Sequence, residues 1–203
     1  MKKRLRIIAI ILIIMFLPSC WPFGNGNHYD ITGVDLHFIQ PGSIEKYDYF
    51  GDYKPRTDPA EDKMVFLMEL KLERNDLAQA LGSLSLIENA HAFQVNEYLD
   101  NNTVYSTYEI SFDTKIKVNG GKVMRGDNLL ENELTKNRIY IKKGTRDPSN
   151  NLIGDLIIFE ERLFDKMEFE KERFTVSFKC KTDDGHIFSA ETEALVGVSK
   201  LME

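Results

Sequence analysis

Between positions 105 and 118 the chain alternates. Tyr108, Ile110, Phe112, Thr114, Ile116 and Val118 take turns with Glu109, Ser111, Asp113, Lys115 and Lys117. A period of two over this length fits an extended strand with one buried face; a helix repeats its apolar positions every three to four residues. The pattern returns elsewhere. In 32–39, Val34, Leu36 and Phe38 share one side, with Asp35 and His37 on the other. In 63–73, Met64, Phe66, Met68, Leu70 and Leu72 share one side, while the opposite side begins apolar at Val65 and Leu67 and turns charged at Glu69, Lys71 and Glu73. In 174–181, Phe174, Val176, Phe178 and Cys180 alternate with Thr175, Ser177, Lys179 and Lys181. Strands of this one-sided kind build antiparallel sheets.

The turn chemistry agrees. Asp183, Asp184 and Gly185 separate the 174–181 pattern from 187–196 and are expected to close a hairpin. Asn119, Gly120 and Gly121 are expected to turn the chain after the 105–118 segment. Helical signals are shorter. Asp155 is placed to cap a helix carrying Leu156, Phe159, Leu163 and Met167 on one stripe, and 76–81 and 129–134 could each make one or two turns. The expected fold is all-β with minor α content: an antiparallel two-sheet sandwich of immunoglobulin-like type, with short crossover helices. The Cys…Trp…Cys signature of antibody domains is absent, since the one tryptophan is Trp21.

The first nineteen residues follow a different logic. Lys2, Lys3, Arg4 and Arg6 precede an unbroken apolar run from position 7 to 17. Eleven helical residues cover roughly 16 Å, about half of a bilayer core of ~30 Å, so the run is too short to span and reads as a secretory signal. Residues 21–28 (WPFGNGNH), rich in Gly, Asn and Pro, follow as a short flexible tether. The expected organisation is a signal peptide at 1–19, a tether at 20–28 and a single β-sandwich domain at 29–203. With Cys20 committed elsewhere, Cys180 has no partner for an internal disulfide, so a core must hold the fold.

Composition narrows the partners. Four of the 26 basic residues fall in the signal, so the rest is more acidic than the formal charge of −6 for the whole. Nucleic acid is not expected as a partner, because phosphate binding needs a basic face. No catalytic or metal motif stands out, and no cofactor is expected. His28, His37, His91 and His186 lack metal-ligand spacing. The run Asp147, Pro148, Ser149, Asn150, Asn151 has oxygens at alternate positions but lacks the glycine and glutamate of a calcium loop. The pairs Glu160–Glu161 and Asp183–Asp184 read as solvated faces, and Cys180 as a small inward hydrophobe. One segment invites a ligand. Tyr47, Tyr49, Phe50 and Tyr53 sit among Asp48, Asp52, Lys54, Arg56 and Asp58, which suits sugar stacking or a protein interface. A long connection that pins itself to the sandwich by its own rings is the alternative.

The junction Leu17-Pro18-Ser19-Cys20 resembles the lipobox of bacterial lipoproteins, and with 29–36 and the terminal hairpin the chain resembles envelope lipoproteins common in gut Bacteroidetes. The resemblance implies diacylglycerol on the Cys20 thiol, cleavage before it and usually acylation (palmitate among the chains) of the new amine. It assigns no activity. Members exported to the surface tend to carry acids just after the cysteine, and 21–25 have none, which points to the periplasmic side of the outer membrane. The resulting expectation is a non-enzymatic, lipid-anchored protein of the cell envelope that binds or scaffolds a glycan or a protein. An envelope hydrolase with no sequence motif, or a pilus-like subunit whose strands pair between copies, are the alternatives.

Overall fold

The alternating segments are strands in a computed structural model that describes residues 27–40, 54–74, 97–99, 102–146 and 152–202. The chain falls into two units, Met1–His28 with Asn75–Tyr98 and Tyr29–Arg74 with Leu99–Glu203. The second unit holds the core. The strands are β1 (Asn27–Phe38), β2 (Val65–Arg74), β3 (Glu97–Leu99), β4 (Glu109–Phe112), β5 (Ile116–Val118), β6 (Gly121–Val123), β7 (Ile139–Arg146), β8 (Leu152–Phe159), β9 (Met167–Phe169), β10 (Arg173–Lys181) and β11 (Ile187–Leu195). One short helix, α1 (Glu161–Phe164), is present among the described residues. The fold is all-β and antiparallel, as the alternation predicts.

A five-stranded sheet has the order β3-β1-β2-β8-β7. Two three-stranded sheets, β11-β10-β4 and β6-β5-β9, complete the unit. Val34, Leu36, Phe38, Phe66, Met68, Ile157 and Phe159 from the first sheet form one buried cluster with Ile110, Phe112, Ile116, Val118, Phe174, Val176 and Phe178 from the other two. The Phe112 and Phe159 rings stack across the layers with centroids 5.8 Å apart. Each such side chain contributes roughly 1.5–3 kcal/mol by leaving water.

The segment 105–118 differs from the single long strand expected. A 3-10 turn covers Tyr105–Thr107, and the chain leaves one sheet and joins another between β4 and β5. Asp113 stays with the first of these sheets: its N–H bonds the Thr175 carbonyl at 3.0 Å, and its Oδ1 accepts the Thr175 N–H at 2.8 Å. Lys115 already belongs to the second, its carbonyl accepting the Glu170 N–H at 3.1 Å. The alternation survives the crossing, and Tyr108, Ile110, Phe112, Thr114, Ile116 and Val118 are all buried.

The expected helix at Asp155 is a correction. Residues 152–159 form the strand β8, and only 161–164 are helical. β8 sends Ile157 and Phe159 into the main core and Leu156 into a second buried cluster, so both of its faces are covered and its sequence is nearly continuously apolar, which hides the period of two. Leu156 and Phe159 therefore point to opposite faces. Leu156 joins Ile39, Val65 and Leu67 in a second buried cluster on the far side of the first sheet, with Ile153 and Ile158 against it. The apolar start of the second face of 63–73 is thus a second small core.

Both expected turns form. Asn119 and Gly120 have φ of 52° and 80°, closing β5 onto β6. Gly185 has φ of 96° in the hairpin between β10 and β11, whose ends are held by the Thr182 N–H on the His186 carbonyl at 2.9 Å. Segment 129–134 makes helical turns, with the Asn132 N–H bonding the Asn128 carbonyl at 3.0 Å. Segment 76–81 lies outside the described residues.

Candidate functional site

Cys20 and the aromatic group Tyr47, Tyr49, Phe50 and Tyr53 lie outside the described residues, as do residues 147–151 of the alternating-oxygen run. The described end of the aromatic segment is pinned by a cation. Arg56 donates to the Lys63 carbonyl at 2.9 Å and the Pro59 carbonyl at 3.0 Å, and its guanidinium lies 5.6 Å from the Phe38 ring centre.

His91 lies outside the described residues as well, and several other candidates have structural partners. His37 bonds Glu69 at 2.8 Å, and His186 stands 3.7 Å from Asp184. Asp183 accepts the Asn102 N–H at 3.0 Å, and Asp184 accepts the Thr182 hydroxyl. Glu160 accepts the Tyr140 hydroxyl. Cys180 is buried and free, and burial first, then the Asp155 charge, pushes its thiol up to about 11. It is a core residue, as its inward position predicts. Among the described residues no group of three His, Cys, Asp or Glu side chains is placed to hold a metal ion.

A buried polar knot stands at the end of the core where β7 and β8 meet. The Tyr108 hydroxyl donates to Asp155 Oδ2 at 2.6 Å and shares a hydrogen bond with Thr103 Oγ1, also at 2.6 Å. Asp155 Oδ1 accepts the Gly144 N–H at 2.9 Å. Burial, then the Asp155 charge, raises the Tyr108 phenol well above its ordinary range. The carboxylate replaces a ladder acceptor. The β7–β8 register shifts between Lys142 and Thr145, and Gly144 has φ of 66°. A bulge at a strand end re-aims the neighbouring side chains.

What the bulge aims is a surface. Tyr105 and Tyr108 rings lie 5.5 Å apart, and the Lys143 ammonium sits 5.1 Å over the Tyr105 ring. Tyr105 is 47% exposed and Tyr140 55%. β7 reads IYIKKGTR, with three basic residues and no acid in an acidic chain. Among the described residues it is also the last strand of its sheet. The Arg138 carbonyl accepts the Glu160 N–H at 3.0 Å, so residue 138 faces β8. Alternation then turns the backbone groups of Ile139, Ile141 and Lys143 outward. Among the described residues no strand pairs with that side of β7. The result is an open strand edge flanked by two exposed tyrosines and two lysines. Ordinary sequence reading passes over it, because IYIKKGTR has neither clean alternation nor a motif; its one local signal is a glycine within a strand-like run. No protein-family model, curated protein or solved structure matches this chain.

Proposed function

We propose that this chain is a non-enzymatic, lipid-anchored protein of the cell envelope that captures an extended protein segment along β7. The observation that carries the reading is the open edge of that strand, with Ile139, Ile141 and Lys143 presenting backbone donors and acceptors between Tyr105, Tyr140 and Lys142. Strand addition draws affinity from main-chain hydrogen bonds and selectivity from the side chains beside them. Exposed lysines favour a segment carrying acids. The buried knot supports the role mechanically, since Asp155 fixes the bulge that presents Lys143 and Tyr105. Lipid on Cys20, with the domain on the periplasmic side of the outer membrane, would raise the local concentration of any envelope partner, so a modest affinity suffices.

The test is a photo-crosslinking amino acid in place of Lys143, in intact membranes of cells making the full chain. The expected result is a discrete crosslinked product that the same probe in place of Lys122 does not give. Absence of a product specific to position 143 removes the reading.

A further inference from the structure

Sheet edges carry unpaired backbone groups, and folded proteins cover most of them. Here the outer side of β4 is closed by residues 126–129: Asn128 Oδ1 accepts the Ile110 N–H at 3.2 Å, and the Leu129 N–H bonds the Ile110 carbonyl at 2.8 Å. The outer side of β9 is closed by the Met202 N–H on the Phe169 carbonyl at 2.9 Å. β3 and β6 span three residues each. Two long edges stay open among the described residues: β7, with eight residues, and β11, with nine.

The direction of the β11 groups follows from its C-terminal end. The Leu195 carbonyl accepts the Ala60 N–H at 2.8 Å on the outer side, while the Val196 N–H turns inward to the Glu172 carbonyl at 2.9 Å. Alternation therefore turns the backbone of Ile187, Ser189, Glu191 and Glu193 outward. β11 reads IFSAETEAL, with two acids and no base, against three bases and no acid on β7. Glu193 is met by Arg173 at 3.1 Å. Glu191 accepts the neutral Ser177 hydroxyl at 2.9 Å and has no basic partner among the described residues.

We propose that these two edges are the halves of one joint, and that the segment captured by β7 is β11 of a second copy of this chain, added in parallel, head to tail. The proposal rests on the strand capture above and names its partner. Parallel addition sets residues of like surroundings side by side. Ile139 and Ile141, on the core side of β7, come beside Phe188 and Ala190, the half-buried core-side residues of β11. On the outer side Lys142 comes beside Glu191. Antiparallel addition would set the core-side Ile141 opposite Ile187, Ser189, Glu191 or Glu193, all exposed on β11, because these are the residues that turn their backbone groups outward. Joining like edges is opposed by charge: β7 on β7 brings lysines together, and β11 on β11 brings glutamates together. The contact uses different surfaces on the two copies, so it repeats.

Two proline variants of the full chain test this. Lys143→Pro and Glu191→Pro each delete one outward N–H and leave the bonds to β8 or β10 in place. In analytical ultracentrifugation the mass of the wild-type chain should rise with concentration, and each variant alone should stay monomeric. Their equimolar mixture should form a dimer and nothing larger, since each supplies the edge the other lacks; that dimer also certifies that both are folded. A monomeric wild type, or either variant alone associating as well as wild type, overturns the proposal. A second pair at exposed side chains guards against misfolding: Lys142→Glu or Glu191→Lys should each weaken association about fivefold, and the two together should restore it. Failure of that rescue also overturns the parallel joint. Crosslinks from position 143 that reach a different protein, with a monomeric wild type, remove the second copy as partner and leave strand capture standing. No crosslink from 143 removes both.

Discussion

A Cβ placed on Gly154 would stand 1.9 Å from the carbonyl oxygen of Met68. The approach is a backbone contact between β2 and β8, adjacent inner strands of the first sheet, and Gly154 holds φ of 157°, a conformation that side-chain-bearing residues avoid. Gly154→Ala should therefore destabilise the fold by about 3 kcal/mol or more, read as a lowered urea midpoint. Gly126→Ala should cost about 1–2 kcal/mol, because Gly126 has positive φ but open space around it. Equal losses at the two positions would mean that β2 and β8 do not approach as described.

Tyr108→Phe should cost about 1–3 kcal/mol in the same assay. The change removes the donor to Asp155 Oδ2 and leaves a buried carboxylate oxygen unsatisfied. Tyr105→Phe, at an exposed ring, should be near neutral for stability. Pairing Tyr108→Phe with Asp155→Ala should give less than the sum of the two single losses, since both break one contact.

Alkaline conditions should weaken the fold through Cys180. Its thiol is raised from 9.0 to about 11 in the folded chain, so the neutral form is favoured there. Its contribution is complete below pH 9 and lost as pH climbs from 9 through 11, roughly 3 kcal/mol at most. Thiol labelling at pH 8, located by mass spectrometry, should be slow at Cys180 in the native chain and fast in urea. Rapid native labelling would contradict its burial.

Cys20→Ser should abolish incorporation of labelled palmitate and release the protein from the membrane fraction. Retention of both would remove the lipid anchor from the account and leave the fold untouched.

The strands that the sequence discloses are those with one wet face. β1, β10, β11 and the later half of β2 alternate because one face is wetter than the other, and the Asn119–Gly120 and Asp183–Gly185 turns punctuate the strands through residues suited to positive φ. β8 is misread as a helix because cover on both faces removes the polar half of the pattern. Asp155 looks like a helix cap from its neighbours, but its partner Tyr108 is 47 positions away, and no local rule connects them. The open edge is illegible for the same reason. Its character depends on strand order, on the Gly144 bulge and on Lys143 reaching the Tyr105 ring, all of them long-range facts. The aromatic segment chosen by composition, Tyr47 to Tyr53, lies outside the described residues, and the described residues that follow it are held by Arg56, a cation rather than a ring.

The crossing at 113–115 has a mechanical consequence. β4 and β5 are one run of chain divided between two sheets, so tension on either is passed to the other through three residues. Under the proposed anchor and strand capture, the chain works under load. With a shared thread between them, those two layers yield together or not at all, because peeling one open pulls directly on the ladder of the next.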